Sequence, residues 1–146
     1  MKNGLRLLLS SMVLVIVCSS TVWSHCQIPC GIYDDQMRAE LIAEHITTIE
    51  KSMNQIMDLE KEEDANSNQL VRWIMNKEEH ASEIQEIVTS YFMTQRIALG
   101  ADNYEKKLTA LHKLIIYAMK CKQATDLSHI KNLRSALDDF NSLYFK

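Results

Sequence analysis

The sequence predicts an all-α chain, folded as an up-down-up-down antiparallel four-helix bundle behind an irregular N-terminal segment. Three observations carry that expectation. One proline (Pro29) and three glycines (Gly4, Gly31, Gly100) occur in 146 residues, so nothing between Gly31 and Gly100 breaks a helix. Glu, Lys, Gln, Met, Leu and Ala, all good helix formers, are abundant. Apolar residues recur at steps of four and three in successive stretches. No alternating run argues for a strand, and no repeat or low-complexity tract interrupts the pattern.

The first helix is expected over about 35–62. Asp34 or Asp35 caps it, and Ile42, Ile46, Ile49, Met53 and Ile56 form its apolar stripe. A polar turn through Glu60–Asp64 and the following Ala-Asn-Ser-Asn leads to a second helix over about 67–99. Its stripe is Leu70, Ile74, Lys77, Ala81, Ile84, Val88 and Tyr91. Lys77 is the one charge in that row. It either snorkels, marks a register shifted by one, or faces a functional site. Gly100 is expected as a left-handed cap. Asp102 and Glu105 make a capping box for a third helix with Tyr104, Leu108, Leu111, Ile115 and Ala118 inside and Met119 alongside. Thr125 or Asp126 starts a fourth, with Leu127, Ile130, Leu133, Leu137, Phe140 and Tyr144. Short connections make neighbouring helices antiparallel.

Residues 1–24 read as a cleaved secretory signal peptide rather than as part of the domain. Lys2 and Arg6 precede an apolar run from Leu7 to Val17, and Val22 and Ser24 are small residues placed for a cut before His25. The run is too short to span a bilayer, and no second apolar stretch approaches that length. Export is therefore expected, whether outside the cell, to a periplasm or into a secretory-derived organelle. The domain then covers 25–146, with 25–33 as a separate segment and 35–146 as the bundle. Its 122 residues hold 14 Lys and Arg against 19 Asp and Glu, a formal charge of −5. That balance lacks the basic face of a nucleic-acid binder. Cys18 leaves with the signal, so Cys26, Cys30 and Cys121 remain. An odd count is awkward for a disulfide framework.

The segment His25-Cys26-Gln27-Ile28-Pro29-Cys30-Gly31-Ile32-Tyr33 concentrates an imidazole, two thiols, a proline, a glycine and a phenol. Cleavage before His25 creates a free α-amine. That amine and the Cys26 amide nitrogen close a five-membered chelate ring on one metal, and the Cys26 thiolate closes a second. Cys30 adds another sulfur, and the His25 imidazole adds an axial nitrogen. Nitrogen and thiolate donors in a planar array suit Ni(II) or Cu(II) better than tetrahedral Zn(II). Ile28-Pro29 restricts the chain to extended or turn geometry, and Gly31 frees it to leave the hook. The Cys-x3-Cys spacing alone also fits a strained disulfide or a zinc half-site.

The full string, His-Cys-x-x-Pro-Cys-Gly-x-Tyr ahead of an all-helical chain, closely resembles nickel superoxide dismutase. The motif match is confined to 25–34, with weaker similarity at Tyr91-Phe92. The resemblance implies one nickel ion per subunit, superoxide as substrate, and His25, Cys26 and Cys30 as metal ligands. It also implies Tyr33 guarding the open face of the metal, and Tyr91 as a second tyrosine on the second helix. A carboxylate near the N-terminal histidine is matched by Glu40 only across a one-residue gap. The family's nearby arginine has no clear counterpart, and Asn76 or Lys77 lies in that region. Gln27 stands where some members carry an acidic residue, at a position that is not a ligand. A homohexamer is implied, and Val71, Ile87, Phe92 and Ile116 lie outside the single stripes as candidate contacts.

Other sites compare poorly. A di-iron bundle needs inward Glu-x-x-His steps. The residues three before His45, His80, His112 and His129 are Ile42, Lys77, Thr109 and Asp126, so these histidines read as surface or structural. The methionines read as core filling, and Cys121 as a buried free thiol. The competing function is a secreted helical interaction protein with a Cys26–Cys30 disulfide.

Overall fold

The computed structural model describes residues 34–64 and 66–145. Among them are four helices and no strand: α1 (Asp35–Leu59), α2 (Ser67–Glu86), α3 (Tyr104–Gln123) and α4 (Ser128–Tyr144). A π-helical segment, Ile87–Arg96, continues α2. Each helix packs on its neighbours in sequence, and α1 also packs on α4, which closes the bundle. Asp35, at the start of α1, bonds Tyr91 and Arg96 beyond the end of α2 and Tyr144 at the end of α4. Lys107, in the first turns of α3, lies over the Tyr144 ring. Starts meet ends throughout, so neighbouring helices run in opposite directions.

The α1 stripe is buried as the spacing predicts: Ile42, Ile46, Ile49 and Met53 are fully inaccessible, and Ile56 nearly so. Asp34 caps the helix, its Oδ1 accepting the Gln36 N–H at 2.9 Å. Leu111, Ala118, Ile130, Leu133, Leu137 and Phe140 complete the expected core. Phe92 is fully buried at one end, edge-on to Tyr91, Phe140 and Tyr144 at centroid distances of 5.2, 4.8 and 5.6 Å.

The second helix departs most from expectation. Regular winding stops at Glu86, and the π segment follows, closed by Ile97 N–H donating to Phe92 O at 3.0 Å. The wider turn brings sequence neighbours inward together, so Ile87, Val88, Tyr91 and Phe92 are all buried. Ile87 and Phe92 are core residues, not surface contacts. Val71 and Ile74 stay exposed, although Ile74 belongs to the expected stripe. The helix ends at Arg96, so Gly100 does not cap it. Gly100 instead takes φ +76° in the connection to α3, where a side chain would be strained.

The capping box at Asp102 and Glu105 does not form. Asn103, in the left-handed region at φ 56°, is the residue before α3, and no side chain bonds the helix start. Met119 and Leu127 are exposed rather than in the core. Asp126 does serve α4, accepting the Ser128 N–H at 2.8 Å.

Two polar groups sit between helices. His45, buried on α1, shares an Nδ1···Nδ1 hydrogen bond of 2.7 Å with His80 on α2. One ring donates and the other accepts, so the contact requires one bare Nδ1. Burial, and then the neighbouring His80, hold the His45 imidazole below its ordinary pKa. Lys77 is buried, and its ammonium donates to Cys121 O at 2.7 Å and Lys122 O at 2.5 Å. These are carbonyls of the last turn of α3, which have no partner within the helix. Lys77 therefore does not snorkel; it caps a helix end in trans. Lys77→Met, which keeps the stem and deletes the charge, should cost about 1–3 kcal/mol of stability. Urea unfolding should show this as a lower midpoint at unchanged slope.

Candidate metal centre

His25, Cys26, Cys30 and Tyr33 lie outside the described residues, which begin one position after Tyr33. Among the sequence-predicted site residues the structure places Tyr91. It does not stand alone. Tyr91 Oη donates to Asp35 Oδ1, and Tyr144 Oη donates to Asp35 Oδ2 at 2.7 Å. Arg96 Nε donates to the same Oδ1 at 2.8 Å, and Arg96 Nη2 donates to Tyr91 Oη at 2.9 Å. The Arg96 and Arg38 guanidinium groups also lie 4.8 and 5.1 Å from the Tyr91 ring centroid. One carboxylate thus gathers two phenols and a guanidinium from three parts of the fold.

The local sequence explains how each partner arrives. Asp34 takes the capping role, which leaves Asp35 in the first helical turn with its side chain turned to the bundle. The π winding sets Tyr91 and Arg96 five residues apart on one face. Phe92, Phe140 and the Tyr144 ring supply the apolar floor.

The electrostatics are coupled. Burial opposes ionisation of Asp35, but the hydrogen bonds from Tyr91 and Tyr144 and the Arg96 charge outweigh it, so its pKa falls below the ordinary value. Tyr91 is pushed up, first by burial and then by donating to Asp35, with Arg96 opposing. Tyr144 is pushed up for the same first two reasons. Both phenols are neutral donors at neutral pH.

Sequence reasoning missed Asp35, Arg96 and Tyr144 as members of the hydrogen-bonded cluster around Tyr91. Asp35 was legible only as a cap candidate, and Arg96 and Tyr144 carry no local motif. Glu40 is exposed and accepts from Gln36, one turn back on α1, at 3.1 Å. Asn76 donates to Ser52 Oγ at 2.9 Å, and Lys77 caps α3. Lys77 is fourteen residues before Tyr91, roughly 20 Å away along a helix axis.

Among the described residues, no group of three His, Cys, Asp or Glu side chains is placed to hold a metal ion. Cys121 is fully buried, and burial pushes its thiol up to about 11, with Lys77 opposing. The ligating form of cysteine is the thiolate, so Cys121 is chemically withdrawn. Among the described residues, no helix is long and apolar enough to cross a membrane.

The sequence pattern of the nickel-containing superoxide dismutase family matches residues 20–146. Neither a curated protein nor a solved structure matches the chain. Since Cys121 is withdrawn from metal chemistry, Cys121→Ser should keep one nickel per subunit, measured by elemental analysis of the folded protein.

Proposed function

The chain belongs to the nickel-containing superoxide dismutases, and we propose that its nickel is held by an N-terminal hook formed after cleavage between Ser24 and His25. It is a nickel-dependent oxidoreductase with one nickel ion per subunit. Its reaction converts two superoxide anions and two protons to dioxygen and hydrogen peroxide. The observation that carries the site assignment is the string His25-Cys26 … Pro29-Cys30-Gly31 … Tyr33, placed where a signal peptide would end and inside the matched range. The matched range takes in all of 25–146 and leaves the apolar run Leu7–Val17 outside it. The interaction-protein alternative, with its Cys26–Cys30 disulfide, gains no support from that match.

The donor set fits nickel. His25 contributes its α-amine and imidazole, Cys26 its amide nitrogen and thiolate, and Cys30 its thiolate. With Cys121 buried and protonated, Cys26 and Cys30 are the thiolates the domain can offer. Bound nickel supplies one-electron redox chemistry between its divalent and trivalent states. Electron-rich thiolate and amide donors lower a potential that is otherwise too high for superoxide. Tyr33 stands as a gate and hydrogen-bond donor to the incoming anion or its waters. Tyr91 is the second tyrosine of the site. Arg38 and Arg96 border Tyr91, and such cations draw a small anion toward them even on an acidic chain.

Export follows from the signal peptide, to the exterior, a periplasm or a secretory-derived organelle. The hook leads an up-down-up-down bundle that assembles as a homohexamer. Val71, Ile74 and Met75 form an exposed apolar face on α2 that suits such an assembly.

One extra alanine before His25 converts the amine ligand to an amide. That variant should lose dismutase activity to background while keeping the helical circular-dichroism signal. Retained activity would contradict the amine-ligand assignment.

A further inference from the structure

We propose that the His45–His80 pair is an acid-operated clasp between α1 and α2, which holds while one of the two facing Nδ1 atoms is bare and releases when both carry a proton. The proposal does not depend on the hook reading. Its first support is geometry. The two Nδ1 atoms lie 2.7 Å apart across the helix interface, with ring centroids 4.9 Å apart. That separation is a hydrogen bond with one proton between the atoms. The neutral pair and the singly charged pair both keep this bond. A doubly charged pair sets two N–H donors and two like charges against each other.

The second support is the place of the pair. His45 lies between Ile42 and Ile46 of the α1 stripe and is 8% exposed. Its Nε2 is buried and has no hydrogen-bond partner among the described residues. An imidazolium needs an acceptor at both ring nitrogens, and His45 has one at most, so charging this ring is costly. The third support is the surrounding charge. Glu44 on α1 and Glu83 on α2 favour the charged ring, yet burial first and His80 next outweigh them and hold it below its ordinary value. Both carboxylates are exposed, which weakens their pull. From α3, Lys122 donates to Ser82 beside Glu83, and Lys77, one turn before His80, is bound to α3 carbonyls. From α4, Arg134 donates to Glu50 and Thr47 of α1. None of these cations offers an acceptor to a second imidazolium.

Linkage sets the direction. The unfolded His45 ring takes up its proton near pH 6.5, and the folded ring takes it up at lower pH. Between those values the unfolded chain holds more protons, so the contribution of the clasp is complete above about pH 6.5 and is lost as pH falls below it. The test is urea unfolding of the nickel-loaded protein in steps from about pH 7.5 to 5, above the range in which ordinary carboxylates titrate. Wild type is compared with His80→Asn, whose amide oxygen replaces the Nδ1 acceptor and takes no proton. Losses at other acid-sensitive groups, nickel ligands included, are common to both proteins and cancel in the difference. Relative to His80→Asn, the wild-type folding constant should fall below about pH 6.5, by up to about tenfold per pH unit. Parallel curves overturn the proposal, because burial of His45 alone then accounts for its behaviour. If His80→Asn does not fold, ring-nitrogen chemical shifts of the wild type decide. One protonated and one bare Nδ1 in the pair at neutral pH support the clasp, and two bare or two protonated Nδ1 atoms overturn it.

Discussion

The carboxylate of Asp35 is the point on which this end of the bundle depends. It sits in the first turn of α1 and receives donors from the π segment after α2 and from the end of α4. A half-buried carboxylate is costly unless its lone pairs are filled, and here they are filled from separate elements. The requirement works in both directions. Tyr91, Arg96 and Tyr144 need an acceptor at that place, and together they hold the Asp35 carboxyl below its ordinary pKa against the opposing effect of burial. Regular α winding from Glu86 onward would not present Tyr91 and Arg96 to it together, so the π segment is part of the same arrangement.

The proposed assignment gives the two parts of the chain distinct tasks. In the proposed hook the donor geometry is set by covalent chelate rings, which need little from a fold. The bundle holds Tyr91 and Tyr144 among Arg38, Arg96 and Lys107. It also keeps its own cysteine out of the chemistry. Hydrogen peroxide, a product of the reaction, oxidises thiolates. Cys121, inaccessible and held protonated, presents none.

The sequence was readable wherever the physics is local. Ile42 through Ile56 repeat at helical spacing, and every one is buried. The nine-residue hook is proposed from the sequence alone, because chelation between an amine, its neighbouring amide and a thiolate depends on bonds, not on tertiary structure. What escaped depends on distant partners. No breaker or motif marks the change to π winding, so Ile87 and Phe92 looked peripheral although both are core. Lys77 looked anomalous because its partners, the last carbonyls of α3, lie 44 and 45 residues away. Asp35 looked like a cap because adjacent aspartates compete for that role, and its partners are 56, 61 and 109 residues away. Asn103 in the left-handed region replaced a capping box whose residues are all present.

The central claim is that signal cleavage builds the active site, since the decisive ligand atom is an amine absent from the unprocessed chain. Intact-mass spectrometry of the exported protein, paired with its nickel content and activity, tests this most directly. The account predicts a chain beginning at His25 with an unblocked amine, reduced Cys26 and Cys30 in the denatured apoprotein, and one nickel per subunit in the active form. Active, nickel-loaded protein that still carries residues before His25, or whose His25 amine is blocked, would contradict it.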